Sequence, residues 1–390
     1  MRDVPDSQVA YGLAVTRTLS EEIGPRPPCS PAEEAAGDLI EAEMKSLGAQ
    51  PHREWFPSTR SFGPGYGLIF GVSLAGAALA RRRPALSSAL SVCAAATALA
   101  ESRFSSRSPL KSLRRARSSN VFCAIEPEGE PTATVCLVSH MDSSRSGLMF
   151  HPAVTSYLGS MVDAVGLSVL VNALGPLLRR HTAGRFAVHA ARSMLALALL
   201  LVLEREIRGE DVPGANDNAS GVGACLSLAR NFRADPLSRT RVVILVTGSE
   251  ESGVFGMRDF LAGHATADWL FINFDGVGAD SRLRVLTSEG GPLTAVRADT
   301  GLVGAAAEVG RADPGLAAEP LAGGSGLPYD STPVLSSGGH AITVANQDGA
   351  IPNYHWPSDR FAEISKSSFG KAVGFAANLV DHLDAEAGAG

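Results

Sequence analysis

At 390 residues the chain is long enough for one large α/β domain with insertions, or for two average domains. Its 34 basic and 40 acidic residues give a formal charge of -6, which argues against a dedicated nucleic-acid binder. Five cysteines (Cys29, Cys93, Cys123, Cys136, Cys225) are odd in number and far apart, with no Cys-x-x-Cys spacing, so they read as reduced core residues rather than a disulfide framework.

The first twenty residues hold Asp3, Pro5, Asp6 and Arg17 and no apolar stretch, so no cleaved secretory signal is expected and the amino terminus is expected in the cytoplasm. Helices are predicted over 7–24 and 31–48, the second opened by Ser30 as cap, Pro31 in the first turn and Glu33 near the positive helix end, and closed by Gly48. From Phe62 the composition changes. Residues 66–80 and 85–100 are apolar runs split by Arg81-Arg82-Arg83-Pro84, a candidate hydrophobic hairpin. Residues 153–178 and 186–203, joined by a segment with Arg179, Arg180 and Arg185, make a second one. We therefore expect a single domain over 1–390 with insertions at 62–118 and 147–210, the first including a basic segment. Apolar runs near the roughly 20 residues that span a bilayer point to membrane association, with lying in the interface or packing as a soluble helical lid as the alternatives. The tips are basic, but so is the flank after the first hairpin (Arg103, Arg107, Lys111, Arg114, Arg115, Arg117), so the charge rule does not favour export of the remaining domain.

Outside these insertions the pattern is α/β. Strands are predicted at 120–125, 134–139, 242–246, 269–274, 283–287 and 341–345, with helices at 221–230, 254–263, 292–309 and 365–384. Alternation of this kind specifies a mixed, largely parallel sheet flanked by helices.

Acidic and imidazole side chains gather at the ends of these strands. Val242 to Val246 reads as a buried parallel strand that delivers Glu250 and Glu251 into a glycine-punctuated turn, where such sheets present their sites. His140 and Asp142 follow another apolar run and face the same side of an extended chain, so Asp142 is placed to orient the imidazole. Asp217, in Asn216-Asp217-Asn218-Ala219-Ser220-Gly221, is either an N-cap or a carboxylate held at close backbone approach and able to bridge two metal ions. Asp275 closes a strand, and His355 lies in a turn between Tyr354 and Trp356. Each alone is an ordinary loop residue. Together they supply borderline nitrogen and hard oxygen ligands with no thiolate, a set suited to a pair of zinc ions with one acid left to move a proton.

The order His-x-Asp, Asp-Asn-x-Ser-Gly, Glu-Glu-x-Gly, an Asp after a strand and a late His resembles the M28 family of zinc metallopeptidases. The resemblance covers about residues 7–61, 119–146 and 211–385. It implies a three-layer zinc-exopeptidase fold and two Zn2+ ions, one held by His140 and Asp275, the other by Glu251 and His355, with Asp217 bridging. It further implies Glu250 as general base and acid, Asp142 as a catalytic support behind His140, a cis peptide between Asp217 and Asn218, and peptide substrates cut at the amino terminus. Carboxypeptidase action, glutaminyl-cyclase-like activity and a catalytically silent membrane scaffold are the competing readings. The chain departs from the family in the 75 positions separating Asp142 from Asp217, and in the loop Tyr329-Asp330-Ser331-Thr332-Pro333, where relatives often carry Ser-Asp-His-x-Pro-Phe. Tyr329 there either binds substrate by stabilising the oxyanion or simply packs.

Overall fold

The computed structural model describes residues 1–104, 108–290, 295–321 and 326–389. In chain order, α1 (Asp6–Arg17) and α2 (Pro31–Ser46) precede β1 (His52–Ser58). Then come α3 (Gly63–Leu79), α4 (Pro84–Ser102), β2 (Ala116–Ile125) and β3 (Ala133–His140). The next stretch is helical: α5 (Leu158–Ala173), a single turn α6 (Gly175–Leu178), α7 (Thr182–Arg208) and α8 (Gly221–Ala234). After it follow β4 (Thr240–Thr247), α9 (Phe255–Gly263), β5 (Leu270–Phe274), β6 (Leu283–Leu286), β7 (Ser288–Glu289) and β8 (Val296–Arg297). The chain ends with α10 (Thr300–Ala312), β9 (Glu319–Leu321), α11 (Ser331–Ser336), β10 (His340–Asn346) and α12 (Lys366–Ala389).

Eight strands form one mixed, mostly parallel sheet in the order β1-β2-β4-β3-β5-β10-β6-β9. The central strands β4, β3, β5 and β10 are parallel, whereas β1, β2 and β6 join antiparallel. Strand alternation splits β4 between two cores. Val242, Ile244 and Val246 pack with α1, α2, α8, α10 and α12 on one face, while Val243 and Leu245 meet Met257 and Phe260 of α9 and Val334 of α11 on the other. The sheet is thus covered on both sides, as a parallel sheet requires. Because β3 lies between β4 and β5, the chain passes to one side after β3 and returns to the other after β4, which makes the carboxyl ends of these three strands a switch point where a crevice opens.

Ser30 caps α2 as expected, accepting the Glu33 N–H at 3.1 Å with Pro31 in the first turn. Two edge strands, β1 and β9, escape the sequence pattern: β1 reads His-Arg-Glu-Trp-Phe-Pro-Ser, with charges and a proline that an edge strand tolerates. The helix expected over 292–309 starts at Thr300; residues 292–294 lie outside the described residues, and 296–297 form β8. Arg107 of the basic flank also lies outside them.

Helices α3, α4, α5 and α7 pack around one another as a bundle, α3 on α4 and α7, α5 on α4 and α7. Its centre is a separate apolar cluster of Ile69, Phe70, Ala94, Val169, Leu195 and Val202. The arm expected over 153–178 is broken: α5 ends at Ala173, and Gly175 and Pro176 begin α6. Three helical stretches in this bundle, Pro84–Ser102, Thr155–Ala173 and Thr182–Arg208, are long and apolar enough to cross a membrane, and α3 is a shorter apolar helix. The bundle's base is tied to the sheet domain by Arg205, which donates to the Ser61 and Ser144 hydroxyls and stacks over Phe62.

Candidate metal centre

Three strand ends and two loops converge on the crevice. His140 is the last residue of β3, Glu250 and Glu251 sit in the turn after β4, and Asp275 follows β5. Asp217 lies in the turn before α8, joined to Asn218 by a cis peptide bond. His355 arrives from the loop after β10. All five expected ligands are buried, whereas Glu250 is partly exposed.

Asp217 stands between the two imidazoles. Its Oδ1 is 3.2 Å from His140 Nε2 and its Oδ2 is 3.2 Å from His355 Nε2. Asp275 Oδ2 approaches His140 Nε2 at 3.6 Å, and Glu251 Oε1 approaches His355 Nε2 at 3.1 Å. One ligand atom from each of His140, Asp217 and Glu251 lies within 4.8 Å of the others, a spacing that fits a cation between them.

The electrostatics fit a cation as well. Burial disfavours an imidazolium at His140, but Asp142, Asp217 and Asp275 outweigh it and hold its pKa well above the ordinary value. His355 is likewise lifted to about 9 against burial, by Glu251 and Asp217. Burial raises Asp275 to about 6. At Asp217 burial acts upward, yet the two histidines win and keep its carboxylate ionised. Without a cation, protons must balance these acids; a divalent ion does so at neutral pH. Asp217 Oδ2 and Glu251 Oε1 both aim at His355 Nε2 without a well-directed hydrogen bond. The donor set, two imidazoles and three carboxylates with no thiolate, suits zinc.

The supporting shell explains how the turn is held. Asp142 accepts the backbone N–H groups of Glu250 at 3.1 Å and Glu251 at 3.0 Å, and its own backbone carbonyl faces His140 Nδ1 at 3.1 Å. It therefore positions both the glutamate turn and the imidazole. Ser249 and Val254, at φ +54° and +55°, bracket that turn, and His355 itself sits at +50°. Left-handed backbone at non-glycine residues, a β-branched valine among them, is unfavourable and concentrates at sites that the surroundings over-determine.

Several of those surroundings are silent in sequence. Asp359 accepts the N–H groups of Asn216 at 2.7 Å and Asp217 at 3.0 Å, and burial lifts its pKa to about 7. Glu33 accepts the Ser249 N–H at 2.8 Å, and burial carries its carboxyl to about 8. Arg26, fully buried, donates to the carbonyls of Met141, Pro213 and Gly214 and so joins the His140 and Asp217 segments. Asp330 accepts from Thr247 Oγ1 at 2.5 Å and is lifted to about 7 by burial. Their signal is an acid or arginine inside an apolar helix start or loop, which composition alone reads as a cap or a solvated side chain. Tyr329 is buried among Phe150, Leu158, Leu286 and Leu327, a packing position. Tyr354 and Phe150 lie against the His355 ring, with centroids at 3.8 and 4.4 Å.

A family model described as Peptidase family M28 matches residues 203–380. No curated protein matches the chain. Among solved structures, the chain is similar to BSAP, a zinc aminopeptidase from Bacillus subtilis, at 14% identity and TM-score 0.58, covering 97% of this chain and 96% of that one. It is similar to an aminopeptidase from Aneurinibacillus sp. strain AM-1 at 15% identity and TM-score 0.56, covering 96% and 95%. A glutaminyl cyclase from Bacteroides thetaiotaomicron shares the fold at 12% identity and TM-score 0.55, covering 97% and 99%.

Proposed function

The chain belongs to peptidase family M28 and is a metallopeptidase, and from that premise we propose that it is a two-zinc aminopeptidase whose helical bundle lies in a membrane. The observation that carries the two-ion reading is Asp217, one oxygen turned toward each histidine. His140 and Asp275 would hold one ion, Glu251 and His355 the other, and Asp217 both. When bound, zinc polarises the scissile carbonyl and acidifies water.

The protein's own residues do the rest. Glu250 is the partly exposed acid of the pair and faces the cavity beside the site, so it is the group placed to take a proton from the attacking water. Burial and the neighbouring Glu251 raise its pKa, while His140 opposes them. A base tuned upward also serves as the acid that returns the proton to the leaving amine nitrogen. Asp142 keeps the two glutamates on their separate tasks through their backbone N–H groups. The purified protein is expected to hold about two zinc ions and to release amines from aminoacyl 4-nitroanilides, and Glu250→Gln to keep the metal while losing about 10²–10⁴ in turnover. Near-normal turnover in that variant would remove Glu250 from the role. Ammonia release from glutaminyl peptides, with no aminoacyl amide cleaved, would favour the cyclase reading that the fold also accommodates.

The membrane reading rests on an inverted pattern. Large apolar side chains point outward from the bundle, including Leu86, Val92, Leu167, Leu197, Leu200 and Phe186, each at least 47% exposed. Small and polar ones point inward, among them Ser73, Ser87, Ser91, Thr97, Ser168 and Asn172. Helices apolar all round, with small and hydroxyl residues at their contacts, are what lipid selects and water does not. Both ends of both hairpins return to the sheet, so the sheet domain stays on one side. Its cysteines are free thiols, which supports the reducing cytoplasmic side. Protease added outside intact cells is expected to leave the sheet domain whole; its digestion would reverse the orientation.

A further inference from the structure

Glu250, Glu251 and His355 open onto a cavity of about 220 Å³ whose remaining walls come largely from the bundle. Phe70 of α3, Met161 and Val165 of α5, and Met194 and Ala198 of α7 line it. An engineered apolar cavity of roughly 150 Å³ already takes a benzene ring, so this one has room for a longer apolar group. The wall does not stop inside the protein. Leu197 lines the cavity and is also 50% exposed, and Leu200 and Leu203 continue the apolar surface outward along α7. On the far side of Phe62 and Tyr66, a second cavity of about 530 Å³ is lined by Arg60, Arg115 and Arg258 together with Glu101 and Glu206. The turn therefore separates two compartments, an apolar one at Glu250 and Glu251 and, beside Ser252 and Phe255, one at the base of the bundle that mixes these charged side chains with Phe104, Leu110 and Leu113. A soluble exopeptidase has no need to build its cavity from helices that span a bilayer.

Resting on the aminopeptidase and membrane readings above, we propose that the substrate is an amphiphilic amide drawn from the lipid phase. An apolar chain of several carbons beside the scissile bond occupies the cavity along α7, and the polar part stays toward the arginine-lined compartment. The apolar group then passes from lipid to cavity without crossing water, so its tail remains in a low-dielectric environment throughout. The bundle is on this account part of the substrate site and not only an anchor.

The test uses the full chain in phosphatidylcholine vesicles, loaded with zinc, and two probe pairs. Leucine dodecylamide against leucine butylamide lengthens the leaving side, and 2-aminodecanoyl against alanyl 4-nitroanilide lengthens the acyl side. Referred to probe free in the aqueous phase, each methylene held in the cavity is worth about fourfold, so two or three suffice for at least a tenfold preference in kcat/KM for the long member of one pair. Ala198→Phe, which fills the cavity, should reduce that preference to about twofold or less, and Met161→Trp should do the same from the α5 side; retained zinc checks that each variant folds. Equal rates for long and short members of both pairs would overturn the proposal, as would a preference that both variants leave intact. Cleavage of none of the four probes by zinc-loaded protein would instead strike the aminopeptidase reading itself, and this inference with it.

Discussion

The sheet domain and the helical bundle bury polar groups for opposite reasons. In the domain, aliphatic side chains fill both faces of the sheet, and four buried acids, Asp142, Asp217, Glu251 and Asp275, meet two histidines at one place. In the bundle, hydroxyls and one amide are distributed between the helices while Leu86, Leu167, Leu197 and Leu200 look outward. The first arrangement concentrates charge that only a cation or a proton can balance. On the proposed membrane reading, the second distributes weak hydrogen-bonding groups where no water competes for them. Polar burial thus marks chemistry in one half of the molecule and helix assembly in the other, and it has to be read against the solvent each half meets.

The largest expected effect comes from removing the charge at the centre of the first arrangement. Asp217→Ala leaves His140 and His355 facing each other across a gap with no bridging oxygen, so bound zinc and aminoacyl-amide hydrolysis should both fall below detection. Elemental analysis of the purified variant beside the parent checks this. Retention of two ions would show that the bridge is supplied elsewhere.

A second change separates the two halves by sign. Leu200 is 63% exposed on α7. In a bilayer, Leu200→Arg places a charge on the lipid-facing side of α7 one turn before Glu204, at the sheet-domain end of the span, and should cost insertion up to about 3 kcal/mol, the helix-centre value, read as a reduced membrane-bound fraction. Were the bundle a water-soluble lid, the same change would raise solubility at no cost to folding.

How much of this was legible in the sequence follows the same division. The central strands could be read because each is built on a mostly apolar run, and β3, β4 and β5 lead on to a histidine or an acid, as Val242 to Val246 runs on to Glu250 and Glu251. His140, Asp217, Glu251 and Asp275 could be read because each follows such a run or a helix start, whereas His355, in a turn nine residues after β10, could be read only from its place in the motif order. Asp359, Glu33 and Arg26 could not, since the partners that tie them to the site lie 115 to 216 positions away and are backbone groups that leave no trace in composition. Edge strand β1 was hidden by its charges and Pro57. The hairpins were plain from apolar runs, but the inward serines and the α7 cavity wall depend on which face of each helix meets its neighbour, and small-residue-rich runs leave that rotation undetermined.

Asp384 offers a smaller, pH-dependent contrast within the sheet domain. It accepts the N–H groups of Ser238, Arg239 and Thr240 at 2.9, 2.8 and 2.7 Å, ahead of β4. Burial pushes its pKa up, but these hydrogen bonds win and hold it below the ordinary carboxylate value. Because the folded value is depressed, the stability it contributes is full above the unfolded carboxylate range near 4 and is lost as pH falls through the folded value. Asp384→Ala should therefore cost about 1–2 kcal/mol at neutral pH and progressively less in acid, read as the difference in unfolding midpoint between the two proteins. A difference that stays constant down to the acid limit would assign the effect to packing.

The smallest effect tests the bundle's own hydrogen bonds. Asn172 of α5 donates to the backbone carbonyl and the hydroxyl of Ser73 on α3, both at 2.9 Å, and accepts from Arg192 Nε on α7 at 2.9 Å, so one amide ties three helices. In water a fully buried amide of this kind would be costly to lose. In lipid the separated helices find other partners for the same groups, and measured interhelical hydrogen bonds average about 0.6 kcal/mol. A double-mutant cycle of Asn172→Ala with Ser73→Ala isolates the pair, since Arg192 loses its acceptor equally in the single and the double variant. A coupling near 0.6 kcal/mol by detergent-titrated unfolding is the membrane signature. A coupling above about 2 kcal/mol exceeds what such bonds give within a bilayer and would return the bundle to the aqueous lid.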